Sequence, residues 1–185
     1  MWIWIVLAVV VVIAVIYLVS TYNRLVSANV AVDEAFAQIE VQLKRRSDLI
    51  PNLVSTVKGY AAHESGTFEK VTAARAAAEH ANGVAEVAAA DGQLTQALRG
   101  LLMVAGAYPD LKASANFLSL QEELSGTENK VGFARQYYND TVRALNESIV
   151  SIPGKFFAGP AKVVEREFYV VDDPGKRAVP NVSFN

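Results

Sequence analysis

Two long stretches of the chain carry mostly apolar residues spaced alternately four and three positions apart. In the first stretch these positions are Leu25, Asn29, Val32, Phe36, Ile39, Leu43, Arg46, Ile50, Leu53, Val57 and Tyr60. In the second they are Leu111, Ser114, Phe117, Gln121, Leu124, Glu128, Val131, Arg135, Tyr138, Val142, Leu145, Ile149 and Ile152. A repeat of about 3.5 residues is typical of helices packed in a bundle or coiled coil. We therefore expect two long amphipathic helices.

The first long helix is predicted to continue to about Ala62, with a kink at Pro51. Proline removes one amide donor and crowds the carbonyl of Ser47, four residues earlier. The alternative is two helices, with Ser47 or Asp48 capping the second. The repeat keeps its phase through Pro51, which favours one helix.

The second long helix is predicted to begin at Pro109, because proline suits the first helical position, and to end at Pro153-Gly154. The sequence "SGTE", Ser125 to Glu128, could instead be a capping box that starts a separate helix. The unbroken repeat again favours one continuous helix.

Two shorter helices are predicted between the long ones. The first covers Gly66 to His80, and the second ends near Gly106. Asn82-Gly83 and Asp91-Gly92 are both turn signals, so the sequence does not show at which residue the second short helix begins. A three-helix alternative, in which the two short helices merge, would send the end of the last helix away from the membrane.

The predicted fold is all-α, with an N-terminal transmembrane helix followed by an up-and-down four-helix bundle of two long and two short helices. The predicted boundaries are 1–22 for the anchor, 23–152 for the bundle and 153–185 for an irregular C-terminal tail. Within the tail, "EFYVVDDPG" resembles a short strand and turn.

The anchor is predicted from the run Trp2–Val19, which contains no charge, glycine or proline. At 1.5 Å per residue this run covers about 27 Å, close to the thickness of the bilayer core. No Lys or Arg precedes it and no small-x-small site follows, which argues against a cleaved signal peptide. Arg24 is the first cation after it, so the positive-inside rule places the amino terminus outside and the bundle in the cytoplasm.

The overall charge is nearly balanced, at a formal net charge of -2, and the chain has no cysteine. This composition gives no basic surface for nucleic acid and no thiolate site. His63 and His80 lie at opposite ends of one short helix, and no paired Glu-x-x-His motif or P-loop is present. We expect no catalytic, metal or cofactor-binding residue, and therefore no enzyme.

Four polar residues fall on the core-facing stripes and are predicted to be structural: Asn29, Arg46, Glu128 and Arg135. If the long helices are antiparallel and Leu25 is level with Ile149, then Arg46 is level with Glu128. We therefore predict an ion pair between Arg46 and Glu128, buried or half-buried and shared with Arg135. The alternative is that Arg46 extends outward into solvent beside Lys44.

The runs "KRRSDLIPNLV" and "YPDLKASANFLSLQEELSGTENKVGFARQYYN" are similar to those of the LemA family of bacterial membrane proteins. The resemblance covers nearly the whole chain after the anchor and is weakest in the tail. It implies a helical bundle on one transmembrane helix, with the amino terminus outside and no assigned catalytic residues. Relatives include proteins of magnetosome membranes, and family members often occur alongside membrane quality-control proteases.

The functional expectation is a scaffold or adaptor in the bacterial inner membrane. Its partners would be other membrane or membrane-associated proteins, or further copies of the chain. The alternative is a bundle that binds a lipid or small ligand.

Overall fold

The computed structural model describes residues 1–171. It contains the helices α1 (Trp2–Lys58), α2 (Ser65–His80), α3 (Gly83–Gly106), α4 (Pro109–Lys112), α5 (Ala115–Val150) and α6 (Gly154–Ala158). No strand occurs within residues 1–171, so the all-α prediction is confirmed. The predicted strand is wrong over Glu167–Val171, because no neighbouring strand pairs with it and the carbonyl of Glu167 accepts instead from the Tyr138 hydroxyl. The remainder of that prediction, 172–175, lies outside the described residues.

Helix α1 continues through Pro51 as one helix, as predicted, but it ends at Lys58 rather than near Ala62. The amides of Tyr60 and Ala61 both bond the carbonyl of Val57, at 3.0 and 2.9 Å, which closes the last turn. This turn changes the phase of the repeat. Tyr60, expected to face the core, is exposed, and Ala61 is buried in its place.

Helices α2 and α3 are separate, which confirms the four-helix interpretation. Helix α3 begins at Gly83, whose φ of 75° lies in the left-handed region that glycine adopts at little cost. Asp91-Gly92 is not a turn, because both residues lie inside α3. Contacts made by Asp91 with other elements, described below, override the local turn signal.

The second long helix is interrupted where a continuous one was predicted. Pro109 occupies the first turn of α4, as expected, but a break at Ala113–Ser114 separates α4 from α5. The amide of Ser114 bonds the carbonyl of Leu111 at 3.0 Å, and this tighter i to i−3 bond ends α4. Helix α5 then continues through Ser125–Glu128 without interruption.

The described chain divides into two compact units. Among the described residues, unit 1 consists of Met1–Ile39 and Ala134–Phe168, and unit 2 consists of Glu40–Phe133 and 169–171. Helices α1 and α5 each contribute one part to each unit.

In unit 1, α1 and α5 run antiparallel and share one apolar core. Its buried residues are Leu25, Val32, Ala35, Ile39, Tyr138, Val142, Leu145 and Val163. The rings of Phe36 and Tyr138 are 5.7 Å apart at an interplanar angle of 56°. The run Trp2–Val19 belongs to the same unit and is exposed at every position, so α1 is apolar all round before it becomes amphipathic.

The chain after α6 returns along unit 1 and is held there by Arg166. The Arg166 backbone amide donates to Asn146 Oδ1 at 2.9 Å, and Asn146 Nδ2 donates to the Arg166 carbonyl at 3.0 Å. The Arg166 guanidinium donates to Asn29 Oδ1 at 3.2 Å and forms an ion pair with Asp33. Asn29, predicted as a structural polar position, is half-buried and contacts this segment.

Tyr138 gives unit 1 a pH-dependent stability. Burial raises the pKa of Tyr138 above its ordinary value of 10.0; Arg166 acts in the opposite direction, while Glu167 and Asp33 add to the rise. The Tyr138 hydroxyl therefore loses its proton at a lower pH in the unfolded chain than in the folded chain. The free energy of unfolding should then fall as the pH rises above about 10. We expect the wild type to lose stability more steeply than Tyr138→Phe in urea titrations as the pH rises above about 10. Parallel curves for the two proteins would contradict this account.

In unit 2, the second part of α1 packs against α2, α3, α4 and the first part of α5. The core consists of Ile50, Leu53, Val57, Ala61, Phe68, Val71, Leu94, Leu98, Leu101, Ala105, Leu111, Phe117 and Leu124. Asn116 Nδ2 donates to Thr56 Oγ1 at 3.2 Å, which joins α5 to α1 at one end of this core. This unit contains the polar residues considered next.

Candidate functional site

A cluster of polar side chains lies inside unit 2, and we call it the buried polar centre. It consists of Arg46 from α1, Asp91 and Thr95 from α3, Glu128 from α5 and Tyr169 from the C-terminal segment. The helical repeat explains why Arg46 is directed inward, because it occupies a core-facing position between Ile39 and Ile50.

The Arg46 guanidinium is surrounded by oxygen atoms from two helices. Its Nη1 lies 3.0 Å from Asp91 Oδ1 and 3.0 Å from Thr95 Oγ1, and its Nη2 lies 2.7 Å from Glu128 Oε2. The Tyr169 hydroxyl donates to the other oxygen of Asp91, Oδ2, at 2.8 Å. Asp91 therefore connects α1, α3 and the C-terminal segment through one carboxylate.

The predicted ion pair between Arg46 and Glu128 is confirmed, but its two members differ in burial. The side chain of Arg46 is 4% exposed, whereas that of Glu128 is 41% exposed. Arg46 Nη2 and Glu128 Oε2 form an ion pair, but their geometry is not that of a hydrogen bond. Arg135 is half-buried on α5 in unit 1, and its predicted sharing of the pair stays a prediction.

The sequence interpretation missed Asp91, Thr95 and Tyr169. Asp91 is 1% exposed and is the more deeply buried partner of Arg46. A signal for it was present: Val87, Asp91 and Leu94 continue with Leu98, Leu101 and Ala105 at four- and three-residue spacing. The turn preference of Asp91-Gly92 obscures this third stripe in the sequence.

A second polar cluster joins α1 to α2. The buried Ser47 hydroxyl lies 3.3 Å from Glu79 Oε1 and accepts from Arg75 Nε at 3.2 Å. Arg75 and Glu79 are paired along α2 at 2.8 Å. Ser47 follows Arg46 directly, so adjacent residues of α1 connect to two different helices.

A cleft of about 460 Å³ lies between these clusters. Its wall combines charged and apolar side chains from three helices and the α2–α3 connection: Glu40, Leu43, Lys44, Ser47, Ala78, Glu79, Ala81, Val87, Asp91 and Leu94. A cleft with both kinds of side chain could accept a small molecule that has a polar group and an apolar body.

The buried polar centre is suited to fixing how the helices of unit 2 align. A buried cation is strongly unfavourable unless oxygen atoms compensate it, and only one alignment of α1, α3 and α5 brings these oxygens to Arg46. Within residues 1–171, no three His, Asp or Glu side chains come together in a way that could hold a metal ion.

A protein-family model described as the LemA family matches residues 35–184, which is most of the chain. A search of the curated proteins finds no match.

Proposed function

The chain belongs to the LemA family, and from this membership we propose that it is a membrane-anchored scaffold or adaptor. It would act through contacts with other membrane or membrane-associated proteins or through self-association, without catalysing a reaction. The observation that carries the proposal is α1 itself. One helix begins as an exposed apolar span long enough to cross a bilayer and continues into a bundle with a fixed core.

The buried polar centre supports a role without catalysis. Arg46 Nη1, the Asp91 carboxylate, Thr95 and the Tyr169 hydroxyl bond one another inside the bundle, and this arrangement favours alignment over reactivity. Interaction would then involve the outer surface. In unit 2, the large apolar side chains of Val41 and Phe133 are mostly exposed.

Val41 and Phe133 are expected to lie level on neighbouring helices. Arg46 contacts Glu128, and α1 and α5 run in opposite directions in this unit. Val41 precedes Arg46 by five residues and Phe133 follows Glu128 by five residues. Exposed apolar side chains of this size are common at protein contacts.

In-cell photo-crosslinking tests this proposal. A photoreactive benzoylphenylalanine at Phe133 or Val41 should yield a covalent adduct with a membrane-associated partner or a second copy of the chain. The same group at Glu69, an exposed polar position of α2 in the same unit, is the matched control and should yield little product. The absence of any adduct from both Phe133 and Val41 would contradict the interaction role.

The proposed location is the bacterial inner membrane, with the amino terminus outside and the bundle in the cytoplasm. Arg24, the first cation after the apolar run, supports this orientation through the positive-inside rule. The chain has no cysteine, so Met103→Cys supplies a single thiol. A membrane-impermeant thiol reagent should label it only after the cells are opened. Labelling of intact cells would show that the bundle lies outside the cytoplasm.

Ligand binding is the second candidate function, because the cleft between α1, α2 and α3 favours it. Glu40 and Lys44 are exposed charged residues on its wall and could orient a bound polar group. Native mass spectrometry of the full chain purified in mild detergent should then show a retained small molecule or lipid. Recovery of the bare chain alone would remove this candidate.

A further inference from the structure

The end of α5 and the short helix α6 present an exposed apolar surface in unit 1. Ile152 is 77% exposed and Phe156 is 70% exposed, and Val150 is exposed beside them. We call Val150, Ile152 and Phe156 the apolar tip. Three large apolar side chains exposed within seven residues are unfavourable in water unless something covers them.

The position of the apolar tip relative to the anchor indicates what covers it. A cleft of about 450 Å³ is lined on one side by Tyr17, Thr21 and Arg24 and on the other by Ser148, Ile152 and Gly154. The apolar run of α1 ends at Val19, and Arg24 is the first charged residue after it. Ile152 and Gly154 therefore lie level with the part of α1 where a bilayer would give way to water.

The apolar tip is held in this position on both sides. A Cβ added to Gly154 would lie 2.0 Å from the Ser148 carbonyl oxygen, so the backbone of α6 rests directly on the last turn of α5. After α6, the amide of Val163 bonds the Ala158 carbonyl at 3.0 Å, and the Val163 side chain is buried in unit 1. The surface is therefore part of the fold.

The charges around the apolar tip also match a lipid surface. Lys155 within α6 and Lys162 after it are both exposed, and Arg24 lines the adjoining cleft. Glu147 is the one carboxylate on the wall of this cleft. Lysine and arginine beside apolar side chains are the combination found in segments that lie in the headgroup region of anionic bilayers.

We propose that the apolar tip inserts into the headgroup region of the bilayer that holds α1, with Ile152 and Phe156 directed into it. This inference rests on the anchoring of α1 that the proposed function assumes, and it adds a second membrane contact. Unit 1 would then be fastened to the membrane at two points, by α1 and by the apolar tip. Two points of attachment restrict how unit 1 can tilt about α1.

Site-directed spin labelling tests the proposal on the full chain. Single cysteines replace Phe156, Val10 or Met103, and each labelled protein is reconstituted in vesicles of equimolar phosphatidylcholine and phosphatidylglycerol. Val10 lies within the anchor, and Met103 is a control at an exposed apolar position (79% exposed) outside unit 1. Far-UV circular dichroism establishes that each labelled chain keeps its helix content.

The expected result is that the label at Phe156 collides more often with oxygen and less often with a water-soluble nickel complex than the label at Met103 does. Adding Ile152→Ser should shift the label at Phe156 back toward the nickel complex. A label at Phe156 that behaves like the one at Met103, or that is shielded from both reagents by protein, overturns the proposal. If the label at Val10 also reports water, the anchor is not in the bilayer, and the membrane role proposed above fails together with the docking.

Discussion

Replacing Asp91 with leucine is expected to lower the free energy of unfolding by about 3–5 kcal/mol, because it leaves Arg46 buried with its most deeply buried partner removed. Asp91 is 1% exposed and Arg46 is 4% exposed, so water cannot solvate the cation in its place. The same change removes the acceptor for the Tyr169 hydroxyl. A loss of this size is a large share of the roughly 5–15 kcal/mol that stabilises an ordinary domain. Urea unfolding of the full chain in detergent, followed by far-UV circular dichroism, measures it.

Two further variants test whether the loss of stability depends on the burial of the charges or only on the removal of a carboxylate. Glu128→Leu removes a carboxylate from the same guanidinium, but Glu128 is 41% exposed, so we expect a loss of about 1 kcal/mol or less. The double variant Arg46→Met with Asp91→Leu removes both buried charges and should recover most of the stability lost by Asp91→Leu alone. If Asp91→Leu destabilises the chain no more than Glu128→Leu does, the buried polar centre does not determine the stability of unit 2.

Gly154→Ala is expected to destabilise unit 1 by about 1–3 kcal/mol through overpacking. The added methyl would lie 2.0 Å from the Ser148 carbonyl oxygen and 3.1 Å from its carbonyl carbon. These are backbone atoms of the last turn of α5, so no side-chain rotation relieves the contact. Either α6 moves away from α5 or the end of α5 unwinds, and both changes lower the stability measured by urea unfolding.

Gly132→Ala is the matched control for this prediction. Gly132 lies inside α5, and a Cβ there would meet nothing within 4 Å. Because alanine stabilises a helix interior relative to glycine, this change should raise the free energy of unfolding by about 0.5–1 kcal/mol. Opposite signs for the two variants are the expected outcome. A Gly154→Ala variant as stable as Gly132→Ala would show that the close approach to Ser148 is not required.

The apolar repeat predicted most of the long helices, and its failures are local. Helix α1 ends four residues early, and α5 is preceded by a break at Ala113–Ser114. Both differences are single turns in which an amide bonds a carbonyl three residues back, at Val57 and at Leu111. The repeat reports which face of a helix is buried, but it cannot resolve where one tight turn replaces a helical one.

The Arg46–Glu128 pair followed from the spacing of the two stripes together with an assumed register, in which the long helices are antiparallel and Leu25 is level with Ile149. Asp91 did not follow, since Asp-Gly has a strong local preference for turns. In the folded chain, the contacts of Asp91 with Arg46 and Tyr169 outweigh that preference.

The apolar span at the start of α1, the all-α class and the two core-facing stripes could be read from side-chain types and the helical period alone. Only the folded chain shows that Asp91 is the buried carboxylate beside Arg46, where the segment after α6 packs, and that Ile152 lies level with the end of the apolar run. Such features join residues that are distant along the chain. Their energies arise from burial and from contacts between elements, which no local pattern records.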